Sequence, residues 1–188
     1  MIMTIKTKWI EALYNLATGS RKIRNFFTPV GAIFYALLIF IFVLVAKQVD
    51  RLLDISNIFS RQLSIFLALP IFFIALFLIG WSVLNFLKAK GTPVPVNPPP
   101  KLVTTGPYAY VRNPMLTGVF ALLFGFGVTL GSVSLLVLFT PLFIFINVLE
   151  LKAIEEPELL KRLGQDYVEY RKRTPMFFPG FGKIFKRK

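Results

Sequence analysis

Residues 113–149 read NPMLTGVFALLFGFGVTLGSVSLLVLFTPLFIFINVL, which is 37 consecutive residues without a charged side chain. A single helix of that length would extend roughly 55 Å, whereas a bilayer core needs only about 20 apolar residues. Gly131 and Ser132 lie near the middle of the run, where a glycine next to a serine is typical of a turn. The run therefore predicts a helical hairpin with the arms Met115–Leu130 and Val133–Leu149.

Two further charge-free runs lie earlier in the chain, Asn25–Ala46 with 22 residues and Gln62–Leu87 with 26 residues. Each is long enough for one membrane span. The chain is 55% hydrophobic with a mean hydropathy of +0.67, which is too apolar for an ordinary soluble domain of 188 residues. We therefore expect an all-α integral membrane protein with four transmembrane helices, the last two forming the hairpin, and a cytoplasmic C-terminal helical segment.

Positive charge is distributed unevenly over the segments outside these runs. The chain has 22 Lys and Arg against 9 Asp and Glu, a net charge of +13. Four spans place 19 of the 22 basic residues on one side and leave only Lys47, Arg51 and Arg61 on the other. Because cytoplasmic segments carry the basic excess, both termini are expected in the cytoplasm. Membrane topology thus accounts for the charge, and nucleic acid is not an expected partner.

This count divides the chain into a cytoplasmic or interfacial N-terminal segment (1–24), the first two spans with their loop (25–87) and a part that carries the polar motifs (88–188). The chain has no cysteine and no histidine. This composition excludes a thiolate nucleophile, a Ser-His-Asp triad and a zinc site built on Cys or His, and no metal site is expected. The chemistry must rest on the remaining polar side chains or on an organic cofactor.

The first polar segment, KAKGTPVPVNPPPKLVTTGPYAYVRNPMLTG, covers residues 88–118. Its prolines predict a stiff, extended stretch without regular helix. Tyr108, Arg112 and Asn113 follow a Thr-Thr-Gly-Pro turn, and Pro114 suits the first turn of a helix that has Asn113 as its N-cap. A rigid linker, and an arginine that anchors at lipid phosphates, are the structural alternatives to a binding site here.

The second polar segment, ELKAIEEPELLKRLGQDYVEYRKRTPMFFP, covers residues 150–179. Its leucine spacing predicts an amphipathic helix that Gly164 ends or bends. Glu155 and Glu156 would ordinarily form a solvated helix face, but they lie at one base of the predicted hairpin, and the tyrosine, arginine and asparagine of the first segment lie at the other. We therefore expect these groups to converge at the cytoplasmic membrane surface. A cleft with a cation, an amide, aromatic rings and a carboxylate suits an amino-acid-like ligand.

Two passages in these segments, LVTTGPYAYVRNPMLTG and EEPELLKRLGQDYVEYRKRTPMFFP, resemble the motifs of the membrane-embedded methyltransferases related to isoprenylcysteine carboxyl methyltransferase and the phospholipid methyltransferases. They cover about residues 101–118 and 155–179 and enclose a hairpin of the expected length. The resemblance implies methyl transfer from S-adenosylmethionine, with S-adenosylhomocysteine as product, in a cytoplasmic site without a Rossmann domain. In agreement, the chain contains no G-x-G-x-x-G sequence.

The resemblance also implies which residues bind the cofactor. The matching positions are Leu102, Val103, Tyr108, Asn113, Pro114, Met115 and Leu116 in the first motif and Glu155 and Glu156 in the second. From its charge, Arg112 is expected to hold the methionine carboxylate, while Glu155 or Glu156 holds the ammonium or the ribose. The expected catalytic residues are Arg112, Asn113 and Glu156. Glu156 is the candidate base for an amine acceptor, and a structural or cofactor-holding role is its alternative.

Two positions and one short segment depart from the family pattern. Asn113 stands where relatives often have histidine, and Leu116 stands where they commonly have tyrosine. Leu151 and Lys152 precede the glutamates where prenylcysteine enzymes carry an arginine, which disfavours a prenylcysteine carboxylate as substrate.

The expected function is methyl transfer to a small hydrophobic or lipid-like acceptor at the cytoplasmic surface of a prokaryotic inner membrane. Two other classes fit the sequence. One is a non-catalytic membrane assembly or accessory protein that retains this fold, which the departures at Asn113 and Leu116 favour. The other is a basic protein that binds the membrane surface, with the lysines and arginine of residues 183–188 attracting anionic lipid.

Overall fold

The computed structural model describes residues 4–57 and 59–179 of the chain. Over these residues the chain forms helices joined by turns and loops, and it forms no strand. The helices are α1 Ile5–Thr18, α2 Arg21–Leu52, α3 Arg61–Lys88, α4 Pro114–Thr129, α5 Leu135–Leu163 and α6 Gln165–Arg173. The basic tail at residues 183–188, for which lipid attraction is predicted, lies outside the described residues.

Three of these helices, α2, α3 and α5, are long and apolar enough to cross a membrane. Helix α4 is apolar too, but its 16 residues give only about 24 Å of helix, which is shorter than a typical span. Large apolar side chains on the long helices stay exposed, among them Phe66, Phe73 and Val137. Contiguous surfaces of this kind suit lipid rather than water. The all-helical membrane fold is confirmed, whereas the count of four spans stays a prediction.

The predicted break of the hairpin at Gly131 and Ser132 is confirmed. Gly131 has a φ of +59°, and a Cβ at this position would lie 2.8 Å from Asn57 Oδ1, so both conformation and space favour glycine. Asp50, near the end of α2, accepts hydrogen bonds from Ser132 Oγ and, at 2.9 Å, from the backbone N–H of Ser134. A carboxylate at this position satisfies donors at the start of a helix. The end of α2 therefore holds the hairpin turn.

Helices α3 and α4 pack closely along their length. A Cβ at Gly118 would lie 2.8 Å from Ile79 Cγ1, and a Cβ at Gly125 would lie 2.8 Å from the ring of Phe72. Small residues at such a contact let two membrane helices approach each other closely. The hairpin is thereby fixed against α3, which ends next to the first polar motif.

Helix α5 runs without interruption through the predicted arm Val133–Leu149 and the amphipathic helix predicted after it. It contains two π-helical segments, Leu135–Phe139 and Leu151–Glu155, the second lying directly before Glu156. Segments of this kind are frequent at functional sites. The predicted end of the helix at Gly164 is confirmed, because this residue has a φ of +58°.

Candidate active site

The first polar motif folds against the C-terminal end of α3. Gly106 has a φ of +60°, which favours glycine, and a Cβ there would lie 2.4 Å from Asn85 Oδ1, so that the Asn85 amide would have to move. The following 3₁₀ turn, Gly106–Ala109, buries Tyr108, whose ring centroid lies 4.9 Å from that of Phe86 in an edge-on contact. Burial raises the pKa of the Tyr108 hydroxyl. The phenol therefore stays protonated at neutral pH and acts as a packing and hydrogen-bonding group.

Arg112 connects the first motif with the second. Its Nη1 donates to Glu156 Oε1 on α5 and, at 3.2 Å, to Tyr167 Oη on α6. The side chains of Arg112 and Glu156 are only 12% and 13% exposed, so the ion pair is largely shielded from solvent. Arg171 Nη1 lies 3.5 Å from the other oxygen of Glu156. The Glu156 carboxylate is thus held by one guanidinium group from each motif.

Two polar groups of these motifs have no hydrogen-bond or ion-pair partner among the described residues. Arg112 Nε is buried and makes no hydrogen bond within the described residues. Glu155 is half-buried in the π-helical segment Leu151–Glu155 and makes no ion pair with any residue that the structure describes. Burial, together with the nearby Glu150 and Glu158 carboxylates, raises the pKa of Glu155 to about 8. An unmatched donor on a cation and a carboxyl group that an arriving ammonium would ionise are complementary to a zwitterionic ligand.

The chain after α6 returns to the start of α4, and we call residues 174–178 the strap. The backbone N–H of Arg112 donates to Pro175 O at 2.8 Å, and that of Asn113 donates to Met176 O at 3.0 Å. These bonds resemble a short strand pairing, although no strand forms in the described part of the chain. They fix the backbone from which the Arg112 side chain extends.

Asn113 and Pro114 occupy the N-cap and first positions of α4, as predicted. The side chain of Asn113 makes no capping hydrogen bond at this position. The strap takes the Asn113 N–H and helps to hold its backbone at φ −126° and ψ 57°, while Thr117 Oγ1 donates to the Asn113 carbonyl at 3.0 Å. The amide of Asn113 is consequently not used for local structure.

Two tyrosines of α6 cover the site. Tyr170 Oη donates to the backbone carbonyl of Tyr108 at 2.7 Å, and burial raises the pKa of the Tyr170 hydroxyl. Burial also raises the pKa of Tyr167 to about 12, with the Glu156 carboxylate acting in the same direction and Arg112 opposing it. Both tyrosines are 3% exposed. Helix α6 is therefore fastened to the first motif by two protonated phenols.

A third carboxylate at the site was not predicted from the sequence. Glu158 is 2% exposed and accepts from Arg162 Nε at 2.7 Å, while Arg162 Nη1 lies 3.5 Å from the carbonyl of Pro99. This contact attaches the proline-rich segment to α5. The i, i+4 spacing of Glu158 and Arg162 signals such an ion pair, but the same spacing is common on solvated helix faces.

The predicted apolar cofactor-binding residues lie in two environments. Leu102, Val103 and Met115 are half-buried, and Pro114 is buried. Leu116 packs against the hydrophobic core that centres on α4 and α5 rather than on the polar cluster. The structure therefore brings the charged residues of the two motifs together, whereas Leu116 belongs to the core.

Fold and site together define a helical membrane protein whose polar site is assembled from two motifs that flank a helical hairpin. The model of the phospholipid methyltransferase family matches residues 63–166, which is more than half of the chain. The chain therefore belongs to the phospholipid methyltransferase family, and its membership implies a membrane methyltransferase. The resemblance inferred from the two motifs is confirmed.

A curated relative is the nickel-cobalt-cadmium resistance protein NccN of Alcaligenes xylosoxydans xylosoxydans, which is 33% identical over 79 residues. The alignment covers 42% of this chain and 36% of the relative, so the chain matches only about a third of that protein's length. No solved structure matches the chain.

Proposed function

We propose that this chain uses S-adenosylmethionine to methylate a small hydrophobic or lipid-like acceptor at the cytoplasmic membrane surface. The observation that carries the proposal is the contact of the two motifs, in which Arg112 reaches both Glu156 and Tyr167. The family supports methyl transfer, and the exposed apolar helices support an acceptor that arrives from lipid. When bound, the cofactor supplies a methyl group activated on a sulfonium.

The residues present fit such a cofactor. Its methionine part is a zwitterion, and the site offers the unmatched Arg112 Nε for the carboxylate. Glu155, whose pKa is raised to about 8 by burial, would ionise beside the ammonium and hold it. The Asn113 amide, which makes no capping bond, adds hydrogen-bonding capacity at the start of α4. Half-buried and buried residues for the less polar parts of the cofactor are Leu102, Val103, Tyr108, Pro114 and Met115.

In this proposal the contribution of the chain is positioning and exclusion of water. Arg112 orients the cofactor carboxylate while its backbone is fixed by the strap. Glu156 already accepts from Arg112 and Arg171, so its role is to hold Arg112 rather than to remove a proton. Asn113 does not titrate, so its amide contributes hydrogen bonds, as donor or acceptor, and no proton transfer.

We further propose that the chain crosses the membrane four times, with both termini in the cytoplasm of a prokaryotic cell. The distribution of 19 of the 22 basic residues supports this arrangement. Residues 88–188 then form the methyltransferase core, residues 25–87 its first two spans, and residues 1–24 a cytoplasmic or interfacial segment. The short α4 crosses together with the turn at 130–132.

Binding of S-adenosylmethionine and S-adenosylhomocysteine to the detergent-solubilised protein, measured by calorimetry, tests the cofactor. We expect saturable binding of both compounds. A control membrane methyltransferase that binds under the same conditions, together with no binding to this chain at about millimolar concentration, would reject the enzyme. That result would favour a non-catalytic assembly or accessory protein of the same fold.

Two variants and two matched controls locate the site. Arg112→Ala and Glu155→Gln are each expected to weaken S-adenosylhomocysteine binding by more than about tenfold, or 1.4 kcal/mol. Two variants outside the site should retain wild-type affinity. They are Arg51→Ala, at the C-terminal end of α2, and Glu169→Gln, on the exposed face of α6. Wild-type affinity in both site variants would remove these residues from the proposed site.

A further inference from the structure

Helix α1 has one face that is occupied by the rest of the protein. Glu11 accepts from Lys161 Nζ through both carboxylate oxygens at 2.6 Å, and the same ammonium lies 4.1 Å from the ring centroid of Tyr14. Ala17, one turn further along this face, is 3% exposed. Through Lys161, α1 is fixed to the end of α5 that also carries Glu156 and Glu158.

The opposite face of α1, which we call its outer face, is apolar and basic. Ile5 is 77% exposed and Trp9, one turn later, is 61% exposed. Lys6 and Lys8 flank this pair and are also exposed. The only acidic residue of α1 is Glu11, which is already paired with Lys161, so the outer face carries uncompensated positive charge.

The outer face of α1 lies close to the start of the lipid-facing surface of α2. Only Gly19 and Ser20 separate α1 from α2. Ile23 and Phe26, in the first two turns of α2, are 47% and 66% exposed and open the long apolar surface of that helix. A bilayer that surrounds α2 therefore has its surface within reach of α1.

We propose that the outer face of α1 docks on the anionic phospholipid surface of the leaflet that α2 enters at its N-terminal end. Tryptophan prefers the boundary between head groups and acyl chains, and lysines beside it attract anionic head groups. The Glu11–Lys161 ion pair then links the lipid surface to the end of α5. This docking does not depend on the proposed methyl transfer.

Fluorescence of Trp9 tests the docking, because the chain has only two tryptophans. The variant Trp81→Phe, with Trp9 as its single reporter, is reconstituted into phosphatidylcholine vesicles with and without phosphatidylglycerol. In each case the acyl chains are either unmodified or brominated near the head group. We expect brominated lipid to quench Trp9 about twofold or more in the vesicles that contain phosphatidylglycerol.

The double substitution Lys6→Glu and Lys8→Glu in the same background should relieve most of this quenching. The matched control is Trp9→Phe, in which Trp81 of α3 should be quenched equally with and without the lysine reversals. Absence of Trp9 quenching by brominated lipid would overturn the docking and indicate a face left to water or to a protein partner. Quenching that persists unchanged after the lysine reversals would overturn the anionic character of the surface.

Discussion

Arg112 is held at its backbone and at one nitrogen of its side chain. Its backbone N–H donates to the strap and its Nη1 donates to Glu156 and Tyr167, while its buried Nε has no partner among the described residues. A shielded guanidinium is costly unless carboxylates and hydroxyls match its donors. Because Nη1 is bound and the buried Nε is not, Arg112 is positioned in advance and still retains a donor for a ligand.

Tyr167 makes the stability of the protein sensitive to alkaline pH. Its pKa is raised from 10.0 to about 12 by burial. Between these values the unfolded chain releases the phenol proton and the folded protein keeps it, so the free energy of unfolding falls as pH rises, by about 1.4 kcal/mol per pH unit. The stabilisation associated with the protonated Tyr167 phenol is fully present below pH 10. We expect Tyr167→Phe to reduce this slope in unfolding experiments monitored by circular dichroism, and an unchanged slope would contradict the assignment.

At the scale of single residues, the sequence predicts those contacts that follow from the hairpin alone. Arg112 and Glu156 meet because the two arms return to the same level, which charge-free runs and a Gly-Ser break are enough to show. Burial of the Glu158–Arg162 pair was not predictable, since it depends on the proline-rich segment covering α5. The side chain of Asn113 does not cap α4, because a backbone hydrogen bond to the strap helps to set the backbone conformation of this residue. Backbone hydrogen bonds of this kind cannot be read from a pattern of side chains in the sequence.

At the scale of the elements, the end of α2 stabilises the start of α5 through one carboxylate. Asp50 is 4% exposed and accepts from both Ser132 Oγ and the Ser134 N–H. Asp50→Asn removes the charge and turns an amide N–H₂ towards a donor, so we expect it to lower the free energy of unfolding by about 2 kcal/mol. Thermal unfolding in detergent measures this loss.

The matched control for this substitution is Asp54→Asn. Asp54 is exposed and has a φ of +50°, a conformation that asparagine also tolerates. The free energy of unfolding of the Asp54→Asn variant should stay within about 0.5 kcal/mol of the wild type. Equal losses in the two variants would show that Asp50 has no special role at the hairpin turn.

The strap depends on one aromatic side chain. Phe177 packs against the core, with its ring centroid 5.3 Å from that of Phe120, whereas the neighbouring Phe178 is 79% exposed. We expect Phe177→Ala to destabilise the protein by about 2 kcal/mol and to weaken S-adenosylhomocysteine binding, because the backbone of Arg112 loses its support. Phe178→Ala is the control and should change neither quantity in thermal unfolding and calorimetry. Similar behaviour of both variants would argue against a packed strap.

Helix bounds were predicted less well than helix positions. The charge-free run Asn25–Ala46 lies inside α2, Arg21–Leu52, and the arm ending at Leu149 lies inside α5. Loss of side-chain charge marks where lipid begins, but it does not mark where a helix ends, because backbone hydrogen bonds continue equally well in water. Gly164 was recognised as an end since it departs from helical backbone conformation.

At the scale of the whole molecule, the length of α5 connects the polar site to the membrane-spanning part of the protein. Helix α5 has 29 residues, and its charged part begins at Glu150, so it extends well beyond the apolar stretch. This extension carries Glu155, Glu156 and Lys161, which serve the site and α1. One helix thus connects a lipid-facing surface to a polar site, which is the arrangement that the proposed methyl transfer to a lipid-like acceptor needs.

The four-span topology can be tested by chemical labelling, because the chain contains no cysteine and every introduced thiol is the sole reporter. Leu53→Cys, Lys101→Cys and Glu169→Cys each place a thiol at an exposed position outside the apolar part of the helices. We expect a membrane-impermeant maleimide to label Leu53→Cys in intact cells, and the other two only after permeabilisation, because basic segments stay in the cytoplasm. Labelling of Glu169→Cys in intact cells together with Leu53→Cys would mean that the 16-residue α4 does not cross the membrane. Labelling of Lys101→Cys and Glu169→Cys but not Leu53→Cys would instead reverse the orientation and move the proposed site to the other side.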